Sequence, residues 1–201
     1  MGVFLAMASV VGRGQTAVTT ALQDFALQSG AVCRPAAHPE ASGELCVVKE
    51  ADGNTTLFFS DEYATAENAA DYISRRLAAP VFALHLHDGD FWMYVLYYKG
   101  EVVDQFNPIP DYWDENLSAE EVATWQGNAA TLARYVPTVQ APDVENYLVR
   151  WDPDAPTALK AYATDEYEQE DWQLLDFMER LQLPYPITAE GPDGEVFRLG
   201  R

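Results

Sequence analysis

What this sequence lacks most conspicuously is positive charge: 12 Lys and Arg stand against 32 Asp and Glu, a formal net charge of −20 over 201 residues. Nucleic-acid binding depends on Lys and Arg displacing the counterions of phosphates, so no nucleic-acid partner is expected. Anionic membrane surfaces are disfavoured on the same ground. Cysteine is equally sparse, with Cys33 and Cys46 the only two. They lie in two expected strands that could pair, but two cysteines make no disulfide framework, and they read as free buried thiols of a reducing cytoplasm. No apolar run approaches the ~20 residues that a membrane-spanning helix needs. The apolar stretch from Gly2 to Val11 has no basic residue ahead of it and runs into a helix. It reads as the buried first strand of a cytoplasmic protein rather than as a signal peptide. Catalytic templates are missing as well: there is no G-x-S-x-G elbow, no G-x-x-x-x-G-K-[ST] loop and no G-x-G-x-x-G after a strand. Gly12-Arg13-Gly14 sits between a strand and a helix but lacks the third glycine.

Core material, by contrast, is ample. At 48% hydrophobic and 12% aromatic residues, a chain of this length can bury about 70% of its unfolded surface. The acidity is uneven, with a net charge of −5 over residues 1–100 and −15 over residues 101–201. A field of that sign attracts a cationic partner and speeds its approach at low salt. The alternative is that it serves solubility alone.

Periodicity sets the expected organisation. A first strand is followed by a helix over 15–28, with Val18, Leu22, Phe25 and Ala26 at helical spacing. A second strand begins at Ala31, and Glu44–Lys49 with Thr55–Phe59 form a hairpin around Asp52-Gly53-Asn54. A helix over 65–78 ends at Pro80. Three strands then follow, 81–87, 91–98 and 101–106, joined by His87-Asp88-Gly89-Asp90 and Lys99-Gly100. The order is βαβββαβββ, the pattern of an α+β protein with a mostly antiparallel sheet and helices packed on one face. From Asn107 prolines punctuate short helices in a helical, acidic C-terminal part. One of these starts at Ser118, whose spacing to Glu121 is that of a capping box, and the last spans 170–182. The whole of 1–201 reads as a single domain, with a sub-boundary near 107–117.

Three segments could carry chemistry. His85 and His87 project from one face of a strand, with Asp90 in the following turn, and this set could offer a divalent metal nitrogen and oxygen ligands. Asp104 on the neighbouring strand could add to it, whereas no other cofactor is indicated. The run from Asp104 to Glu115 mixes carboxylates with Tyr112 and Trp113, the inventory of a sugar-binding or glycoside-cleaving cleft. The favoured reading is a proline-stiffened loop anchored by its aromatics. The third is an acidic and aromatic set in the C-terminal half: Trp151, Asp154, Asp165, Glu166, Tyr167, Glu168 and Glu170. Aromatic residues rimmed by carboxylates are what a binder of a basic protein displays. Acids complementing the start of the last helix, with Trp172 packed inward, are the structural alternative.

The run from Val81 to Phe106, with Pro110-Asp111-Tyr112-Trp113 after it, resembles a pattern in uncharacterised bacterial α+β proteins of about 200 residues. The resemblance covers about a sixth of the chain and implies a bacterial origin and an α+β fold, with no activity attached. Many small acidic α+β proteins of bacteria neutralise toxins, which is an analogy of class only. The sequence therefore leads to a non-enzymatic protein that binds a basic protein partner, immunity-like or regulatory. The alternatives are a metal-dependent hydrolase using His85, His87 and Asp90, and a structural protein.

Overall fold

The structure, a computed structural model, describes residues 3–36, 44–59, 62–152, 160–167 and 172–200. Strand β1 (Leu5–Val10) leads into helix α1 (Gln15–Gln28) and then β2 (Val32–Pro35), β3 (Glu44–Ala51) and β4 (Asn54–Phe58). Helix α2 (Tyr63–Leu77) returns the chain to the meander β5 (Pro80–His87), β6 (Phe91–Tyr98) and β7 (Glu101–Phe106). The expected βαβββαβββ order is thus observed. The C-terminal part carries short helices α3 (Ala119–Ala123), α4 (Ala129–Tyr135) and α5 (Gln173–Arg180), a two-residue pairing of β8 (Ile187–Thr188) with β9 (Gly191–Pro192), and β10 (Glu195–Gly200). Eight strands form one sheet in the order β2-β10-β3-β4-β1-β5-β6-β7, antiparallel at every pairing. Among the described residues no helix is long and apolar enough to cross a membrane.

The tight turns explain why the hairpins are so legible. Asp52-Gly53 and Lys99-Gly100 join their strands as two-residue loops with positive φ at both positions. That backbone matches the right-handed twist of the flanking strands. Asp88 and Gly89 take the same conformation in the β5–β6 turn.

Side-chain size then decides what covers each face. Towards α1 and α2 the sheet presents small residues, Ala6, Ala8 and Ala83, and the helices answer with Ala21, Ala26, Ala66, Ala69 and Ala70, all buried. Small residues on both sides let regular helices lie close to a sheet. The opposite face presents Phe82, Trp92, Tyr94 and Phe106, and the C-terminal part covers it with Leu132, Val144, Tyr147, Trp151, Leu174, Phe177 and Met178. Phe177 is the centre of that seam, stacked on Tyr94 at 5.6 Å and within 4.9 Å of the Trp92 ring.

Sequence patterning alone leaves the chain after Pro186 unassigned, yet β10 is an interior strand. It lies between β2 and β3, with Leu199 opposite Cys33 and Phe197 opposite Cys46. The two cysteine-bearing strands, which could have paired, are therefore separated by β10. Two strand spacings, about 10 Å, separate them, beyond the reach of a disulfide, and both thiols are free and buried. Burial raises the Cys33 thiol to about 11. Both sheet edges are blunted: β2 is four residues long and ends in Pro35, and β7 carries a bulge, with Asp104 opposite Leu96 and Val102 opposite Tyr97. Short or bulged edges resist pairing with other chains.

The close approach at Gly194, just before β10, gives a direct test. A Cβ there would land on the Val48 carbonyl oxygen, nearer than side chains tolerate, whereas at Gly200 it would meet nothing within 4 Å. Gly194→Ala is expected to destabilise the protein by about 1–3 kcal/mol in urea titration, and Gly200→Ala by less than about 0.5 kcal/mol. Equal effects would contradict the placement of β10.

Candidate functional site

The turn between β1 and α1 holds no anion site. Its Gly12 N–H donates to Asn54 Oδ1 at 2.8 Å, and the Gln15 N–H at the start of α1 donates to Glu50 Oε2 at 2.5 Å. A carboxylate of the chain itself occupies the place where a helix N-terminus would bind phosphate.

His85 and His87 do project together, with His85 Nε2 3.4 Å from His87 Nδ1. His85 is 5% exposed and packs against the Tyr63 ring at 4.5 Å. Burial, then the neighbouring His87, push its pKa down to about 4, and the Leu5 backbone opposes this slightly, although no well-aligned hydrogen bond reaches Nδ1. Asp90 does not turn towards the pair; its Oδ2 accepts from the Tyr112 hydroxyl at 3.0 Å. Asp104 is committed elsewhere, accepting from the Tyr94 hydroxyl at 2.7 Å and from the Asn128 N–H at the start of α4 at 3.1 Å. Among the described residues no three His, Cys, Asp or Glu side chains are grouped to hold a metal ion. The expected set of His85, His87 and Asp90 is corrected accordingly: the histidines meet, and the carboxylate is taken by the Tyr112 hydroxyl instead.

The C-terminal set divides by direction. Trp151 is 7% exposed, and its backbone N–H donates to the Pro108 carbonyl at 3.0 Å, so it is part of the core. Asp165 is buried too, accepting from the Tyr147 hydroxyl at 2.8 Å, the Tyr162 N–H at 2.9 Å and Arg180 at 3.0 Å. Both are corrections to an expected partner-facing role: a carboxylate with its acceptor sites filled from within is satisfied by the fold. Glu166 and Tyr167 are exposed as expected. Asp154, Glu168 and Glu170 lie outside the described residues.

Glu166 and Tyr167 are held by Asp176 of α5, itself buried, whose two oxygens accept their N–H groups at 2.9 and 3.2 Å. This clasp sets the Tyr167 ring stacked on Trp172 at 6.2 Å. Between them and Leu175, Tyr185 and Ile187 lies a groove of about 650 Å³. A second hollow of about 500 Å³ shares Glu166, Tyr167, Leu175 and Tyr185 and adds Asp52 and Glu179. Among the described residues, the charged ones that line the two are therefore all acidic. A nearby cation, Lys49, is already engaged by Asp193 at 2.6 Å and the Tyr185 carbonyl at 3.1 Å. Burial, reinforced by Tyr167, holds the Tyr185 hydroxyl up at about 12. Sequence patterning pointed to Tyr167 and Glu166 but missed Tyr185, Leu175 and Asp52, which reach the groove from distant segments.

Comparison with protein-family models, with curated proteins and with solved structures gave no match for this chain.

The His85 ring makes stability depend on pH in a defined window. It is neutral in the fold and would take a proton near pH 6.5 when unfolded, so the unfolded state gains protons first as pH falls. Its contribution is full above about pH 6.5 and is lost progressively down to about pH 4, amounting to about 3 kcal/mol. Urea titrations at pH 7 and pH 4.5 should show a smaller pH-induced loss in His85→Gln than in the parent. An identical loss would mean that His85 is not held neutral.

Proposed function

We propose that this is a non-catalytic binding protein that seats a basic segment of a protein partner in the groove beside Tyr167 and Trp172. One observation carries the reading: an apolar, aromatic groove whose charged lining, among the described residues, consists of the carboxylates Asp52, Glu166 and Glu179. Aromatic anchors in a hollow supply most of the affinity of a typical interface. Rim charges of one sign select the partner and speed its approach. The surrounding half of the chain, at −15, extends that attraction beyond the groove. Lysine and arginine side chains, with apolar stems and charged heads, fit such a lining: the stems cover Tyr167 and Leu175 while the heads meet the rim. A toxin-neutralising or regulatory role agrees with this chemistry.

The test is a comparative capture from bacterial lysate at low salt, with the parent protein and a Glu166→Lys/Glu179→Lys variant of unchanged melting temperature. A basic protein retained by the parent, released as salt rises and bound roughly tenfold more weakly by the variant is the expected result. Equal retention by both proteins, or no retained protein at all, would overturn the reading.

A further inference from the structure

Two segments that the sequence presents as separate candidates meet at one end of the sheet. Besides the His85 imidazole at 5.6 Å, the His87 ring, at the end of β5, is in contact with Phe4 at 5.1 Å, Phe91 at 5.5 Å, Tyr112 at 5.6 Å and Trp113 at 4.9 Å. Phe4, Tyr112 and Trp113 are 39%, 44% and 54% exposed. Three large exposed rings joined in one cluster mark a recognition surface, since isolated exposed aromatics are ordinary and contiguous ones are not.

We propose that this cluster is a second recognition site, and that it takes the ammonium head of a lysine side chain presented by a partner protein. Ring orientation favours a cation over a flat ligand. Tyr112 and Trp113 meet at 80°, Trp113 and His87 at 82°, and Phe4 and His87 at 89°. These steep edge-to-face contacts offer no flat platform for a sugar ring to stack across, whereas the exposed face of a single ring attracts an ammonium ion. The electrostatics agree. Tyr112 donates its hydroxyl to Asp90 at 3.0 Å, and this bond, with the Asp90 charge and more distantly that of Asp88, disfavours loss of the phenolic proton. A phenol bonded to a carboxylate has a more electron-rich face, and both carboxylates belong to the β5–β6 turn, which joins His87 to Phe91. A second copy of this chain, or an anionic membrane, would meet a field of its own sign.

The loop that carries Tyr112 and Trp113 is anchored. Arg150 binds Asp111 at 2.6 Å, the Tyr112 N–H donates to Ile109, and the Trp151 N–H donates to Pro108. On the other side the Gly89 N–H donates to the Val3 carbonyl at 2.9 Å, which sets Phe4 beside the turn. The backbone that carries the rings is thus held before any ligand arrives, which reduces the entropy lost on binding. The site is also distinct from the groove. β1 pairs Leu5 with Leu86 at the ring-cluster end, and Val10 with Thr55 at the end where Asp52 lies. The proposal stands whether or not the groove binds a partner.

The experiment follows the tryptophan indole N–H signals by NMR in the full-length protein. Trp113 is assigned with Trp113→Phe, and N-acetyl-trimethyllysine methylamide is titrated against its uncharged tert-butyl carbon isostere. The trimethylammonium probe is chosen because its charge survives at every pH. The cation is expected to shift the Trp113 signal and saturate it, with the isostere about tenfold weaker. Trp113→Ala should abolish the shifts of neighbouring groups, and Asp90→Asn should weaken binding several-fold, both at unchanged melting temperature. Glu166→Lys should leave this titration unaltered. Equal binding of the isostere, an unmoved Trp113 signal, or a response to neutral monosaccharides in place of the cation would overturn the proposal.

Discussion

The contact between Phe177 and the aromatic face of the meander is the constraint on which the rest of the structure depends. Phe82, Trp92 and Tyr94 cannot be left to water, and each large aromatic buries roughly 150–250 Å² when covered. Phe177 meets all three, with Tyr147 at its edge at 5.6 Å. Fixing Phe177 fixes α5, and α5 carries both Asp176, which clasps Glu166 and Tyr167, and Leu175, which floors the groove. The groove is therefore a consequence of how one face of the sheet is covered. The other face needs no such cover, because its alanines admit two regular helices at close range.

Acidity has two separate roles in this fold. Asp104, Asp165 and Asp176 point inward, and their oxygens are filled by hydroxyl, amide and guanidinium donors. Each ties a stretch of the C-terminal part to a neighbour: α4 to β7, the turn at Tyr162 to α5, and the strand-like stretch at Glu166 to α5. Removing one would leave buried donors without partners, which costs more than a surface charge ever contributes. Asp52, Glu166, Glu179 and the carboxylates of the β5–β6 turn point outward and are free to set the field that a partner meets. A single net-charge figure hides that division, because the inward acids contribute to the total while their lone pairs are already used.

The first nine elements were legible because each is a local pattern. Strands of period two are bounded by Asp-Gly or Lys-Gly turns, and two helices show apolar residues at helical spacing. The capping box at Ser118 was legible for the same reason: its serine oxygen accepts from the Glu121 N–H at 3.2 Å, and Glu121 accepts from the Ser118 N–H at 2.8 Å. β10 was not legible, although Phe197 and Leu199 alternate with Val196 and Arg198. Its six residues follow a proline-rich stretch, and its partners lie some 150 residues earlier in the chain. Asp165 was misread because nothing local distinguishes it from Glu166; the donors that bury it, Tyr147 and Arg180, are 18 and 15 residues away. The meeting of His87 with Trp113 likewise depends on how the loop after β7 folds back, which spacing does not encode.

The central claim is that the C-terminal part is cemented to the sheet through Phe177 rather than resting on it. Native-state hydrogen exchange reads this directly, by comparing the opening free energies of the amides in α5 with those in β6. The account predicts that residues 177–181 of α5 and its cap exchange through the same global opening as Tyr94 and Leu96, with matching free energies and matching response to urea. Exchange of α5 at a much lower free energy while β6 stays protected would contradict it, and would make the groove a feature of a detachable layer.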